Sequence, residues 1–406
     1  KRQRFILSTL LEKENQLLQA SVKLRHAKIQ AQQAQEGWGI QESEITLGAK
    51  IGSGSYGDVF KGKWTPLKDV PVAIKVIMPC TRGEKAAALD NAEMMLMQRV
   101  RHPRLVLFFG SGVLKSRNCS FLVTEFLAGG NLREFIGTAV ASNDYKGGYP
   151  WEMRVRSAMD IVEGMEFLHS RDWIHRDLKS ENVLRDEMGR CKIADFGLSK
   201  SFSRLSNSFS ELGTTGRAPG VSSSAPRKET MGANMLMTAF VGSAPWLAPE
   251  LIKNRKSDIA FGGKEVDVYS FGCVLYELVE GKIPWSEATC LEDIFGSVEC
   301  GGRPKTATPM PSGYDERSIH LKVCDLMSEC WQQSASRRPS FSKIAIVLQS
   351  VYQEHCRMRK RESKQVKRGS EKPSNGNGSK DKVALLASDS VAYHSHKSFE
   401  NPILAK

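Results

Sequence analysis

The run HRDLKSEN, residues 175–182, sets His175, Arg176, Asp177, Lys179 and Asn182 just ahead of the apolar step Val183-Leu184. Asp195 follows in the string Asp195-Phe196-Gly197. A surface loop would hold such residues at no cost, and each taken alone is compatible with one. Together they offer oxygen ligands and a base at fixed intervals. Mg²⁺ takes oxygen ligands and is held by one or two side chains plus phosphate oxygens. Asn182 and Asp195 fit that need, which leaves Asp177 to accept the proton of an attacking hydroxyl. Lys179 supplies positive charge for a migrating γ-phosphate. Phosphoryl transfer is mostly positioning and charge stabilisation, so this set suffices for it.

A second constellation lies upstream. IGSGSYGDV, residues 51–59, fits G-x-G-x-x-G-x-V: Ile51, Gly52, Ser53, Gly54, Ser55, Tyr56 and Gly57 lead to Val59. Glycine lets the backbone approach an anionic phosphate closely enough for N–H groups to donate to it. Alone the pattern is weak, and a plain β-turn accounts for it. The following residues continue as a strand instead of opening a helix, which argues against a dinucleotide-binding fingerprint. Lys75 then stands alone among apolar neighbours in VAIK. A lysine is rarely buried without a partner. Its functional reading needs an anion and a carboxylate to hold the ammonium. Glu93 is placed for that on the next helix, with Ala92, Leu96 and Met97 on one side of it. Glu84 is the alternative, at the helix start, where capping is more natural.

The elements that must position these residues follow from pattern. Residues 45–127 contain short β-branched or aromatic runs, ITLGAKIG, VFKGKW, PVAIKVIM, LVLFFGSGV and SFLVTEFL, separated by turn residues. Glu84–Arg99 reads as a helix. Residues 131–351 are mostly helical, as in Trp151–Ser170, Val266–Glu280 and Ile319–Gln332. The expected fold is α+β, a small β-rich lobe (45–127) before a larger helical lobe (128–351). Residues 201–237, rich in Ser, Thr, Gly and Pro, read as a long mobile insertion. Residues 5–35 favour helix, with Leu10, Leu17 and Leu24 at sevenfold spacing. Three heptads make a weak seam, so either a solvated helix or a homodimeric coiled coil fits. Residues 352–406 read as a basic tail without regular structure.

The chain has 406 residues and a net charge of +13. That charge sits at the ends: +4 in residues 1–36, +6 in 352–382, and only +3 in the 315 central residues. Tails near an acidic surface, such as a membrane face, or simply solvated tails, are therefore expected, and a nucleic-acid-reading domain is not. No apolar run approaches the ~20 residues that span a bilayer. The nine cysteines form no CxxC pair, which suits reduced thiols and a cytoplasmic setting. The cytosolic part of a membrane-anchored protein is the other setting, residues 1–36 then being juxtamembrane.

The ordered set of Gly-rich loop, Lys75, Glu93, HRDLKSEN, DFG and Ala248-Pro249-Glu250 resembles a protein kinase domain over roughly residues 45–351. HRDLKSEN, FKGKW, RHPRLVLFFG and Trp38 ahead of the domain are similar to the tyrosine-kinase-like group of serine/threonine kinases, near the Raf and mixed-lineage kinases. The resemblance implies ATP and Mg²⁺ as cofactors and proteins as substrates. It implies that Lys75 meets the α- and β-phosphates and pairs with Glu93, and that Asp177 is the base. Thr124 would be the gatekeeper, Glu125 to Leu127 the hinge, and Val59, Ala73 and Leu184 the adenine sandwich. Met97, Phe108, His175 and Phe196 would stack as a spine, Asp267 would brace the catalytic loop, and Glu250 would pair with Arg338. Lys179, and Ser243 in GSAPWLAPE, point to serine/threonine substrates; a kinase-shaped scaffold and dual specificity are the competing readings. Thr238 is the expected activating site for an upstream kinase, its phosphate pairing with Arg176.

Overall fold

The computed structural model describes residues 37–54, 57–68, 70–77, 97–98, 100–117, 119–141, 149–196, 200–201, 241–253, 262–306 and 314–369. The chain divides into two units, Lys1–Cys356 and Arg357–Lys406. The first begins with a five-stranded antiparallel sheet: β1 (Ile45–Gly54), β2 (Gly57–Trp64), β3 (Pro71–Ile77), β4 (Phe108–Leu114) and β5 (Cys119–Glu125), in the order β1-β2-β3-β5-β4. Alternation decides which face each residue takes. Val72, Ile74 and Val76 of β3 are buried with Trp64, Phe109, Phe121 and Val123 in a small core. Ala73 and Lys75 therefore point to the opposite face. Register completes that face: Val59 pairs with Lys75, Lys75 with Leu122, and Ala73 with Thr124.

Ahead of β1, the Ile40 N–H donates to Ser111 O (2.8 Å) and the Ser111 N–H to Trp38 O (2.9 Å), so residues 38–40 lie along β4. The Trp38 ring stacks on Phe108 at 5.4 Å. Leu105–Leu107, expected as the start of a strand, instead form a loop. Their backbone is taken by other elements: Val106 N–H donates to Ile193 O (2.9 Å) and Leu107 N–H to the Glu125 carboxylate (2.8 Å).

The helical part comprises α1 (Leu132–Ala141), α2 (Trp151–Ser170), α3 (Pro249–Lys253), α4 (Glu265–Glu280), α5 (Leu291–Glu299), α6 (Tyr314–Cys330) and α7 (Phe341–Gly369). Short pairs β6 (Trp173–Ile174) with β9 (Lys200–Ser201), and β7 (Val183–Arg185) with β8 (Cys191–Ile193), frame the catalytic-loop run. Every residue of α4 from Val266 to Glu280 is buried, which makes it the axis of the larger core. It stops at Gly281, in the left-handed conformation (φ 69°) that glycine adopts without penalty. The predicted helix over Glu84–Arg99 lies outside the described residues except at Met97 and Gln98, which are helical. Residues 352–369 correct an expectation. They continue α7 instead of forming an irregular tail, because the stretch has no glycine before Gly369 and no proline.

Candidate active site

The HRDLKSEN loop, residues 175–182, is held from beneath by one carboxylate. Asp267, fully buried on α4, accepts the backbone N–H of His175 (2.8 Å) and of Arg176 (2.7 Å), and the Nε2 of His169 (2.8 Å). Burial works against the ionised form, but these hydrogen bonds and the neighbouring histidines hold the Asp267 carboxyl below its ordinary range. The two clamped N–H groups fix a turn in which Arg176 takes φ 69°, a left-handed conformation unusual for a side-chain-bearing residue. His175 is positioned on both ring nitrogens: Nδ1 accepts from the Asp177 N–H (3.3 Å), so Nε2 carries the proton and donates to Ala194 O (3.1 Å). Its ring meets Phe196 edge-on at 5.5 Å.

Above this clamp the side chains of Asp177, Lys179, Asn182 and Ser243 converge. Asn182 Nδ2 donates to Asp177 O (2.7 Å) and Asp177 Oδ2 (2.9 Å). The Ser243 hydroxyl donates to Asp177 Oδ1 at 2.5 Å, and Lys179 Nζ donates to the same hydroxyl at 2.8 Å while standing 3.3 Å from Asp177 Oδ2. Asp177, Lys179, Asn182 and Ser243 thus form one network. Because Asn182 spends its amide nitrogen on Asp177, its amide oxygen is turned elsewhere.

Lys75 reaches across from the sheet to Asp195, Nζ to Oδ1 at 2.9 Å. Partial burial would raise the Asp195 carboxyl, but the Lys75 ammonium, helped by His175 and Lys179, holds it below the usual carboxylate range. Asp195 itself has φ 59°. The pairing of Lys75 with Glu93 that the sequence suggests lies outside the described residues, as do Ser55, Tyr56, Gly197 and Thr238. Asn182 Oδ1 and the second oxygen of Asp195 are a hard, two-oxygen donor set of the kind Mg²⁺ accepts together with phosphate oxygens. Among the described residues no cluster of three or more His, Cys, Asp or Glu offers an all-protein metal cage.

The glycine-rich segment closes on the β1–β2 hairpin, where Gly54 pairs with Gly57 and Gly52 with Val59. Gly57 has φ 143°, and a Cβ there would sit 2.1 Å from Val76 O, so no other residue fits. Ser53 and Lys50 both bind Asp58, at 2.7 Å each, which steadies the hairpin next to its turn. Val59, Ala73 and Thr124 share the sheet face that carries Lys75, while Leu184 sits in β7, bridged to Asn131.

Two residues of the site escape the sequence reading. Lys192 on β8 donates to both carboxylate oxygens of Glu125, at 2.7 and 2.8 Å, so the Glu125 side chain braces the junction of sheet and helical parts. A lysine isolated in an apolar strand marks Lys75, and the same signal marks Lys192 in Cys191-Lys192-Ile193. Glu277, buried in α4, accepts from the Ser180 hydroxyl of the catalytic loop and from Trp246 Nε1 at 2.9 Å. Burial, against both hydrogen bonds, pushes its carboxyl up to about 7. Nothing in the local sequence announces this, since its partners are far away in the chain. The pairing of Glu250 with Arg338 is present and bidentate, at 2.7 and 2.8 Å.

The comparisons with known proteins agree with this geometry. The protein kinase domain model matches residues 45–352. Serine/threonine-protein kinase STY46 of Arabidopsis thaliana is 32% identical over 317 residues, 78% of this chain and 46% of that protein. Serine/threonine/tyrosine-protein kinase HT1 of Arabidopsis thaliana is 31% identical over 318 residues, 77% of this chain and 68% of that protein. Probable serine/threonine-protein kinase drkD of Dictyostelium discoideum is 29% identical over 325 residues, 80% of this chain and 21% of that protein. The chain thus spans less than half the length of some of the relatives it matches. With the family model covering most of the chain, and the catalytic loop, DFG aspartate and Lys75 drawn together as described, the chain belongs to the protein kinase domain family.

Proposed function

We propose that the chain transfers the γ-phosphate of ATP to serine and threonine hydroxyls of protein substrates. The observation that carries this reading is the hydroxyl seat between Asp177 and Lys179: an aliphatic hydroxyl, that of Ser243, donates to the carboxylate while the ammonium faces its oxygen. A substrate serine or threonine entering that seat gives its proton to Asp177 as its oxygen attacks the γ-phosphorus, and the bond from that phosphorus to the bridging oxygen breaks to release ADP. Lys179 compensates the negative charge of the transferring group. Lys75 holds the phosphate chain, and the backbone N–H groups of residues 52–57 cover it. Val59, Ala73 and Leu184 enclose the adenine, and backbone groups of Glu125 to Leu127 read its edge beside Thr124. Asn182 and Asp195 would hold Mg²⁺, which when bound would supply positive charge to the phosphate oxygens. Activation by an upstream kinase at Thr238 and self-association through residues 5–35 belong to the same reading, and both segments lie outside the described residues.

Phosphoamino-acid analysis after incubation with labelled ATP, Mg²⁺ and a generic basic protein tests it. Phosphoserine and phosphothreonine are expected, reduced roughly 10²–10⁴-fold in Asp177→Asn, the range of a lost general base. Thr238→Ala run alongside should lose its activation by an upstream kinase. Phosphotyrosine as the main product would overturn the substrate class, and transfer unaffected by Asp177→Asn would overturn the mechanism.

A further inference from the structure

Ser243 stands in the seat that a substrate hydroxyl must enter. Its hydroxyl donates to Asp177 Oδ1 at 2.5 Å and accepts from Lys179 Nζ at 2.8 Å. Asp177 is thereby in contact with a proton it could take, and the Lys179 ammonium faces the oxygen that proton would leave. An aliphatic hydroxyl so placed is the group that transfer to serine consumes.

The fold keeps Ser243 in this position. The residue belongs to a short helical turn, Val241–Trp246. The Trp246 end of that turn is tied twice to α4: its Nε1 donates to Glu277 at 2.9 Å, and its carbonyl accepts from the Ser270 hydroxyl at 2.9 Å. Ser243 is only 3% exposed. The active site of a second molecule would have to uncover this side chain before reaching it. The base of the same chain already touches it, and such prior orientation favours transfer within one chain. A phosphate on Ser243 would bring about two negative charges beside the Asp177 carboxylate. It would also engage Lys179 and fill the seat, so that a substrate hydroxyl could no longer meet the base.

We propose that Ser243 is a self-phosphorylation site through which the chain closes its own active site, a regulation that rests on the serine/threonine transfer proposed above. In this step Ser243 Oγ bonds to the γ-phosphorus of ATP while the bond from that phosphorus to the bridging oxygen breaks. The hydroxyl proton passes to Asp177, and ADP leaves.

The test follows Ser243 by phosphopeptide mass spectrometry in the full chain, first freed of phosphate by a phosphatase, then incubated with ATP and Mg²⁺ at several protein concentrations. Phosphate should appear on Ser243 with a first-order rate constant that does not change with protein concentration. A tagged Asp177→Asn chain mixed with the wild type should stay bare at Ser243. Transfer to a generic basic protein, assayed alongside, should fall in proportion to the fraction of Ser243 modified. Ser243→Ala, whatever its starting rate, should show no such fall after preincubation with ATP, and Ser243→Thr should show it. Should Ser243→Ala fail to fold, the phosphopeptide result on the wild type decides alone. Three results would each overturn the proposal: a phosphorylated generic protein with Ser243 bare, phosphate on Ser243 of the tagged Asp177→Asn chain, or undiminished transfer from chains modified at Ser243. Absence of transfer both to Ser243 and to the generic protein would overturn the transfer reading itself, and this regulation with it.

Discussion

Glu277 is the residue whose chemistry is least visible and most consequential. Its carboxyl ties the catalytic loop, through Ser180, to the segment around Trp246. With its folded pKa near 7 and an ordinary carboxyl value of 4.5 once unfolded, the folded state holds a proton that the unfolded state releases between those values. Stability contributed by the protonated form is therefore complete below about 4.5 and is lost as pH rises towards 7. Glu277→Gln mimics the protonated form, so its stability should lack this decline, and above pH 7 it should exceed the wild type by up to about 3 kcal/mol. Urea unfolding at a series of pH values measures it, and parallel profiles for the two proteins would refute it. Asp177, Lys179, Asn182 and Asp195 could be read from the sequence because their chemistry is concentrated in two short strings. Glu277 could not, because a buried carboxylate in an apolar helix acquires meaning only from what the fold brings to it.

At the level of elements, the junction between β5 and β8 rests on Glu125 and Lys192, whose side chains are 15% and 10% exposed. Removing one partner of a buried pair leaves the other charge without compensation. Lys192→Met should cost roughly 3 kcal/mol in denaturant unfolding. Glu125→Gln/Lys192→Met should recover most of that loss; a double variant no better than the single one would show that packing, not charge, matters there. The strands themselves are legible, because alternation of β-branched and polar residues is a local property. Leu105–Leu107 shows the limit of such reading. Three apolar residues read as strand, yet their N–H groups donate to His102 O, Ile193 O and the Glu125 carboxylate, which no local pattern reveals. The helix beyond Val351 misleads in the opposite direction, since a charged composition reads as a tail while the absence of glycine and proline permits the helix to continue.

For the molecule as a whole, the two cores differ in size and reach. The larger gathers around α4 and includes Phe108, Leu122 and Ile77 from one face of the sheet, while the smaller covers the other face. Amides of α4 should therefore exchange with solvent only through global unfolding, and those of β1 and β2 through cheaper local opening. Native-state hydrogen exchange would show this as a higher opening free energy for residues 266–280 than for 45–64, and equal values would mean one cooperative block. The strand of residues 38–40 along β4 has a consequence of a different kind. β4 stands at the margin of its sheet, and those few residues occupy backbone groups that would otherwise be open to any passing strand. Family resemblance begins at Ile45, yet a chain trimmed there would present a bare edge with Val113 exposed beside it. Such a chain should self-associate in light scattering where the longer one stays dispersed, so the short peptide ahead of the domain acts as its guard against aggregation.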